Sequence, residues 1–394
     1  MFLMQQDKTI GFKILPVMFG FFIMGFVDII GIAINYVKQD FLFLNDTLAN
    51  LLAMSCFFWF LVLSIPTGML MNRIGRKKTV LLSFAMQVIA LMIPIVVYDF
   101  AWVMVAFAFL GMGNTLLQVA LNPLVTDVVS KEKLTGTLTL GQFVKAVCSL
   151  LGPILTSWAT GLIFGWKLIF PIFAVTSFIA FIWLWFTPIQ EKKKGESVSL
   201  QRTLSLFKDN HIVAFFIGIL VLVGVDVGIN ATFPKLLMEK CALPLNEAGL
   251  GNSVYFFART LGALGGGIFL LKYAETRFFR YSVLLALIGL GGMLVTGNLW
   301  GILAFVVIFG LGYANLFAII FSLSLKRMPD RANEVSALLV MGVSGGALLP
   351  PLLGVVSDSF GTQTAAMMLI TLVWLYMVWL IRTVSNKQEK SLTN

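Results

Sequence analysis

The sequence predicts an all-α membrane protein whose twelve transmembrane helices form two pseudo-symmetric six-helix bundles. Three observations support this prediction: the composition, a series of apolar runs, and the distribution of lysine and arginine between those runs. Of the 394 residues, 59% are hydrophobic and only 12% are charged. Soluble domains carry about 25% charged residues, so this composition is typical of a protein that crosses a membrane many times.

Twelve apolar runs of about 20 residues follow one another, and each is long enough to cross a ~30 Å hydrocarbon core. No short apolar segment with a cleavage site precedes the first run, so we expect that run to be retained as a helix. We number the twelve apolar runs as spans one to twelve: 11–37, 46–72, 79–97, 101–128, 136–164, 167–187, 212–238, 246–271, 279–296, 299–326, 333–358 and 362–384.

Lysine and arginine alternate in abundance between successive connecting segments. The segments on the side of both termini hold 22 of them, the opposite segments hold 4, and Lys145 and Arg259 lie within spans. Under the positive-inside rule this asymmetry predicts a multi-pass protein of the bacterial inner membrane with both termini in the cytoplasm. The net charge of +10 does not indicate nucleic-acid binding, because such proteins cluster their basic residues on one face or arm.

Four lone charges lie deep inside otherwise apolar spans: Asp28, Lys145, Asp226 and Arg259. A charge at the bilayer centre costs about 2.5–3.5 kcal/mol on insertion scales, so it usually faces the protein interior or a wet cavity. The two acids and two bases sum to zero, which favours mutual pairing. This combination is typical of a substrate and ion pathway and predicts a transporter.

The longest polar stretch, 188–211, separates spans six and seven and is predicted to be a cytoplasmic linker. It divides the chain into an N-terminal bundle (1–187) and a C-terminal bundle (212–384), followed by a cytoplasmic tail (385–394). At a spacing near 199 residues the halves resemble each other: Asp28 maps next to Asp226, and Gly68 maps to Gly267. Such repeats are typical of transporters whose site lies between two halves that rock by alternating access.

The loop after span two, Gly68 to Lys78, resembles the signature of the major facilitator superfamily, Gly-x-Leu-x-Asp-Arg-x-Gly-Arg-Lys. Asn72 stands where the family usually has Asp. The resemblance implies that Gly68 permits close helix contact, and that Arg73 pairs with Asp127 to latch a cytoplasmic gate. The alternative for the positive charges at 76–78 is that they only set the topology.

A narrower resemblance, to the fucose–galactose–glucose:proton symporter family, rests on three motifs. They are Phe26-Val27-Asp28 in span one, Ala120-Leu121-Asn122-Pro123 in span four, and the stretch Gly345–Gly354 followed by Ser357-Asp358 in span eleven. The family implies uptake of a monosaccharide coupled to a cation, usually the proton. It also implies that Asp28 is the proton-coupling acid.

Two positions depart from that family. Gln118 stands where it has a Glu in the fourth helix, and Lys145 stands where it has an Asn three residues after Gln142. Losing an acid and gaining a base makes the site more positive by two charges. Either the proton site has been redesigned, or the substrate is an acidic or modified sugar whose negative charge Lys145 receives.

Sugar recognition requires amides, carboxylates and an aromatic face between helices. Gln142 lies one helical turn from Lys145, and Gln118 lies one turn from Asn114, so each pair shares a helix face. An amide facing lipid would be costly, so these side chains are expected to point inward, with interhelical hydrogen bonding as the alternative role. The predicted substrate contacts are Gln118, Gln142, Lys145, Arg259, Asn114, Asn315 and Tyr255.

The predicted proton-coupling acids are Asp28 and, as its counterpart in the second half, Asp226. Movement of Lys145 or Arg259 relative to Asp28 would switch its protonation during the cycle. The alternatives are a static ion pair at Asp28 and a permanent pair between Asp226 and Arg259. Arg259 is also able to clamp a carboxylate or phosphate with two parallel bonds.

Several other functions compete with proton-coupled sugar uptake. In the same fold the rivals are a proton-coupled exporter of small amphipathic compounds and a sodium-coupled or uniport sugar transporter. A membrane-embedded enzyme or receptor is disfavoured, because the sequence has no histidine–cysteine cluster and no additional domain. No metal site, cofactor or nucleotide-binding loop is predicted, and one copy of the chain in a lipid bilayer is expected to be the working unit.

Overall fold

The computed structural model describes residues 2–129, 131–191, 199–270 and 274–392. Within these ranges the chain is helical and contains no β-strand. The all-α prediction is therefore confirmed for the part of the chain that the structure describes.

Seven helices and two 3₁₀ segments form the N-terminal half, the name we use for residues 1–187. The 3₁₀ segments are Gly25–Ile29 and Gly165–Leu168. The helices are α1 Phe2–Met24, α2 Ile30–Asp40, α3 Asp46–Ile74, α4 Arg76–Val96, α5 Phe100–Val128, α6 Lys131–Ala159 and α7 Ile169–Phe186.

Eight long or medium helices form the C-terminal half, residues 212–384, and the short α8 precedes them. The last helix continues to Leu392, past the predicted start of the tail at residue 385. The bounds are α8 Leu200–Ser205, α9 Asn210–Cys241, α10 Leu245–Leu270, α11 Glu275–Val295, α12 Leu299–Tyr313, α13 Leu316–Arg327, α14 Ala332–Met341, α15 Gly345–Phe360 and α16 Gln363–Leu392.

Eleven segments of the described chain are long and apolar enough to cross a membrane. The 26-residue helix α10 occupies the place of predicted span eight. Three spans that the sequence analysis treats as continuous are interrupted. Span one breaks at Gly25–Ile29, span ten at residues 314–315, and span eleven at Gly342–Ser344. A 3₁₀ stretch within a helix often marks a functional hinge, and broken spans are where transporters place their binding groups.

Side-chain caps explain why several helices begin where they do. Asn45, Asp99, Asp209 and Asn298 each accept a hydrogen bond from a backbone N–H in the first turn of the helix that follows. These N–H groups have no partner within the helix, so a capping oxygen satisfies them where the chain leaves the loop.

Close helix contacts join the two halves and depend on glycine. Helix α3 packs against α15, α6 against α10, and α2 against α9. At Gly31 a Cβ atom would lie 2.5 Å from the Cβ of Asn230 on α9. Within single halves, a Cβ at Gly111 would lie 1.9 Å from the carbonyl oxygen of Cys56. Only a residue without a side chain allows backbones to approach this closely.

A buried polar cluster joins the halves at the end that the sequence predicts to be external. The carboxylate of Asp46, only 3% exposed, accepts hydrogen bonds from Lys38 (2.5 Å) and Lys235 (2.9 Å) at one oxygen. Its other oxygen accepts from Ser357 (2.8 Å) and Gln363 (2.5 Å). Because Asp46 and Lys38 belong to the N-terminal half and the other donors to the C-terminal half, this carboxylate holds the two halves together.

Asp358 reinforces the Asp46 cluster by capping helix α3 from the opposite half. Its carboxylate accepts from the backbone N–H groups of Asp46 (2.9 Å) and Thr47 (2.8 Å), and from the Thr47 hydroxyl (2.6 Å). Gly354 allows this approach, since a Cβ there would lie 2.6 Å from the carbonyl oxygen of Asp46. The halves are therefore in contact at this end of the bundle.

We expect Gly111→Ala to lower the melting temperature of the purified protein, because the new Cβ forces α3 and α5 apart. Overpacking of this kind costs about 1–3 kcal/mol. The control is Gly291→Ala, at a position with nothing within 4 Å of the added Cβ, where a helix gains about 1 kcal/mol. A Gly111→Ala protein as stable as the parent would contradict the packing described here.

We expect Asp46→Asn to open the predicted external end, because the amide no longer neutralises two ammonium groups. The reporter is Ile32→Cys, placed where Ile32 packs against Gly249, in a chain with its three cysteines replaced. Its thiol should react with a maleimide at least about fivefold faster, which corresponds to about 1 kcal/mol. Asp99→Asn, which alters only the cap of α5, should leave the rate unchanged; equal rates in all three proteins would refute the role of Asp46.

Candidate transport site

The first acid–base pair lies within the N-terminal half. The Nζ of Lys145 on α6 is 3.9 Å from Oδ2 of Asp28, and both side chains are less than one-fifth exposed. The Ser149 hydroxyl donates to the same Asp28 oxygen at 2.5 Å. Ser149 lies one turn beyond Lys145 on α6, so this helix supplies both contacts to the carboxylate.

Local backbone structure positions Asp28. It belongs to the 3₁₀ segment Gly25–Ile29, which separates α1 from α2. Asn114 on α5 donates to the carbonyl oxygen of Met24 at 3.1 Å, at the point where α1 ends. Gly25 lets α6 approach closely, since a Cβ there would lie 2.9 Å from the carbonyl oxygen of Lys145.

The second acid–base pair lies within the C-terminal half and is more tightly held. Nη1 of Arg259 on α10 is 2.8 Å from Oδ2 of Asp226 on α9. The Tyr255 hydroxyl donates to Oδ1 of Asp226 at 2.6 Å, and Asn230 approaches the same oxygen at 3.4 Å. Tyr255 and Arg259 are one turn apart on α10, so one face of that helix holds the carboxylate.

Aromatic rings surround the second pair. The guanidinium of Arg259 lies 5.0 Å from the ring centre of Tyr313, a cation–π distance. The ring of Tyr255 stacks on Phe309, and Trp374 contacts both Phe309 and Tyr313. Tyr313 was missed in the sequence analysis; the signal that identifies it is a tyrosine within an apolar run, two residues before Asn315.

The two pairs belong to one site between the halves. Asp28 lies just before α2, which packs against α9, the helix of Asp226. Lys145 and Arg259 lie on α6 and α10, which also pack together. The four lone charges that the sequence identifies therefore form two neutral pairs on helices that pack against each other across the two halves.

The predicted amide contacts divide into two groups. Asn114 and Asn315 are bonded to protein atoms: Asn114 to the carbonyl oxygen of Met24, and Asn315 to that of Gly262 at 2.7 Å, where span ten breaks. Gln118 donates to the side-chain oxygen of Asn114 at 2.9 Å through its amide nitrogen, and Gln142 is exposed.

At the opposite end of the bundle Asp127, the predicted partner of Arg73, contacts Arg76, with 2.7 Å between Nη1 and Oδ1. The pairing of Arg73 with Asp127 stays a prediction. Gly75 adopts a positive φ of 95° between α3 and α4, and Arg76 is the first residue of α4. Gly68 is buried in α3 as expected for a helix contact.

The other basic residues of this loop also have specific partners. Glu191 accepts from the backbone N–H groups of Arg76 (2.8 Å) and Lys77 (2.9 Å), which begin α4. The Nζ of Lys77 donates to the carbonyl oxygens of Trp185 and Thr187, both at 2.9 Å. These contacts attach the start of α4 to the end of α7.

Comparison with known proteins agrees with this architecture. The profile of the Major Facilitator Superfamily matches residues 17–344 and 215–394. The chain belongs to the Major Facilitator Superfamily. This family consists of transporters, so the chain is a membrane transporter and not an enzyme.

Curated relatives within the superfamily cover almost the whole chain. A protein named glucose/galactose transporter from Brucella abortus biovar 1 (strain 9-941) is 26% identical over 388 residues, covering 92% of each chain. A putative glucose/galactose transporter from Helicobacter pylori (strain ATCC 700392 / 26695) is 26% identical over 370 residues, covering 86% of this chain and 87% of its own.

Solved structures share the fold of this chain at low sequence identity. The E. coli fucose:proton symporter FucP superposes with a TM-score of 0.71 at 16% identity, covering 95% of this chain and 98% of its own. The nucleoside transporter NupG superposes with a TM-score of 0.77 at 14% identity, covering 96% and 99%. The predicted fold class is confirmed by these likenesses.

The two acid–base pairs should differ in what they contribute to stability. In Asp226→Asn the always-charged Arg259 loses its counter-charge, so we expect a loss of about 3 kcal/mol, the lower end for a buried pair because the Arg259 side chain is 26% exposed. Asp28→Asn keeps an oxygen for Ser149 and breaks a longer pair of 3.9 Å, so its loss should be at least about 1 kcal/mol smaller.

Thermal unfolding of the two purified variants in the same detergent measures this difference. Glu275→Gln, which removes one partner of the exposed Lys326 pair, is the control for a carboxylate-to-amide change. Equal losses at the two aspartates would contradict the assignment of Asp226 as the more tightly held carboxylate.

Proposed function

We propose that this transporter takes up a monosaccharide together with a proton by alternating access. The observation that carries the proposal is the contrast between the two carboxylates: Asp28 lies 3.9 Å from its lysine, whereas Asp226 contacts its arginine at 2.8 Å. A carboxylate that is only loosely paired with an ammonium is able to gain and lose a proton during a transport cycle.

The contacts of Asp226 argue against it as the proton carrier. Its two oxygens already accept from Tyr255 and Arg259, and a guanidinium stays charged at every physiological pH. Protonation of Asp226 would leave that guanidinium without its counter-charge in a low-dielectric site. The role that fits Asp226 is to hold Arg259 and the ring of Tyr313 in position.

Protonation of Asp28 has a direct consequence for Lys145. Once the carboxylate is neutral, the ammonium loses its counter-charge and gains freedom to contact another group. Lys145 and Gln142 lie one turn apart on the same face of α6. A substrate bound between these two side chains would then become the partner of the Lys145 ammonium. Proton binding and substrate binding thereby favour each other, which is the requirement for symport.

The polar groups around the pairs suit a compact hydrophilic substrate. Gln118 and Gln142 offer amide groups for hydroxyls, and Tyr313 offers an aromatic face next to Arg259. The relatives named as glucose/galactose transporters, and the likeness to a fucose:proton symporter, support a monosaccharide. An exporter of amphipathic compounds would be expected to present a larger and more apolar site.

The charge balance favours a second candidate substrate, an acidic sugar. With all four side chains ionised the site is neutral, and protonation of Asp28 makes it positive by one charge. A sugar carboxylate would neutralise Lys145 in that state, whereas a neutral sugar would leave the ammonium unpaired. Uronic acids are therefore the first competitors to test against neutral hexoses.

The proposed cycle uses the contacts at the two ends of the bundle. The Asp46 cluster closes the predicted external end, while the loop around Arg76 and Asp127 belongs to the predicted cytoplasmic gate. Rocking of the halves about the central pairs would open each end in turn. We place the protein in the bacterial inner membrane with both termini cytoplasmic and one chain as the working unit.

We expect Asp28→Asn to reduce proton-gradient-driven accumulation of labelled sugar in proteoliposomes by at least about tenfold. The same variant should retain counterflow exchange, because exchange needs no net proton movement. Glu275→Gln, on an exposed ion pair remote from the site, should accumulate sugar like the parent.

The rival functions give different results in the same assay. Normal accumulation by Asp28→Asn would contradict the assignment of the coupling acid. Stimulation of uptake by a sodium gradient alone would identify sodium as the coupling ion. Drug-dependent proton release without sugar uptake would identify the protein as an exporter. A gradient effect confined to uronic acids would identify the acidic sugar as the substrate.

A further inference from the structure

The hydroxyl of Ser149 lies between two hydrogen-bond acceptors. Its Oγ is 2.5 Å from Oδ2 of Asp28 and 3.1 Å from the backbone carbonyl oxygen of Lys145, one turn earlier on α6. A serine hydroxyl has one hydrogen to donate and two lone pairs to accept with. Ser149 is 5% exposed, so water has little access to these contacts.

We propose that Ser149 is a positioning residue that serves both protonation states of Asp28 and sets the pH range of transport. The inference rests on the proposed function, in which Asp28 carries the coupled proton. When Asp28 is ionised, Ser149 donates to its carboxylate. When Asp28 is protonated, the acid donates to the Ser149 oxygen and the serine hydrogen turns to the Lys145 carbonyl oxygen.

This exchange needs only rotation of a hydroxyl. The coupled proton stays on Asp28, no proton leaves Ser149, and no backbone atom has to move. Both states keep their hydrogen bonds, which matters because an unsatisfied buried polar group is costly. Gly25 maintains the arrangement, since a Cβ there would meet both the Lys145 carbonyl oxygen and the Cβ of Cys148.

The direction of the effect follows from the strengths of the two hydrogen bonds. A bond to an ionised group is roughly twice as strong as one between neutral groups. Removing the Ser149 hydroxyl therefore takes away a stronger hydrogen bond from the ionised state of Asp28 than from the protonated state. Without the hydroxyl, the proton should be retained to higher pH.

Other ionisable groups also face Asp28, and the test has to separate them from Ser149. Of these, Arg259 stays charged throughout, and Lys145 contacts Ser149 only through its backbone carbonyl oxygen. Asp226 stays paired with Arg259. The titratable groups near Asp28 are its partner Lys145 and Cys148 on α6, Cys56 on α3, Arg259 on α10 and Tyr313 on α12.

The experiment follows protonation of Asp28 in the purified full chain by infrared difference spectroscopy. The carboxylic-acid band that disappears in Asp28→Asn is assigned to Asp28 and titrated against pH. We expect the midpoint in Ser149→Ala to move to higher pH by about one unit, and the pH profile of sugar uptake to move with it. Ser149→Thr, which keeps the hydroxyl, should restore the parental midpoint.

The matched control is Thr156→Val, on the same helix. Its hydroxyl is buried and donates only to the carbonyl oxygen of Gly152, at 2.8 Å, so its removal should leave the midpoint unchanged. A Ser149→Ala midpoint equal to that of the parent would overturn the inference while leaving Asp28 as the proton site, and so would failure of Ser149→Thr to restore it. If no Asp28-dependent band titrates, the proposed proton coupling fails, and this inference fails with it.

Discussion

A charge in the apolar interior of a membrane protein has to be balanced by a counter-charge, and this requirement organises the centre of the transporter. Asp28 is balanced by Lys145 and Asp226 by Arg259, each pair within one half of the chain. Neither half therefore exposes an uncompensated charge when the halves move apart. For the same reason, a proton that neutralises one carboxylate removes the counter-charge of its basic partner.

The two pairs differ in how completely the protein satisfies them, and that difference divides the work of the site. Asp226 accepts from a tyrosine and an arginine that also lies against an aromatic ring. Asp28 is held mainly by one hydroxyl, in the short 3₁₀ segment between α1 and α2. The tightly held Asp226 pair offers a fixed surface to a substrate, and the loosely held Asp28 is the group that can change its charge.

Much of this arrangement could be predicted from the sequence because it depends on composition and local pattern. The sequence predicts the apolar spans, the four lone charges within them, and membership of the superfamily from the glycine-containing loop near Arg76. The contact between Arg76 and Asp127 was not predicted, because it depends on how the chain turns at Gly75 and on how α4 then packs against α5. For Asn114 and Asn315 the sequence left open substrate contact or interhelical hydrogen bonding, and only the structure shows that both donate to backbone carbonyl oxygens where spans end or break.

The sequence by itself determined that this chain crosses the membrane repeatedly and that its buried charges sum to zero. Those properties follow from the cost of placing charge and unpaired backbone in hydrocarbon, which any sequence must respect. Only the tertiary structure decided which acid meets which base, and that Ser149 and Tyr313 belong to the site. Those facts depend on how close helices distant in sequence approach each other, which glycines such as Gly25 and Gly31 set through contacts that no local pattern encodes.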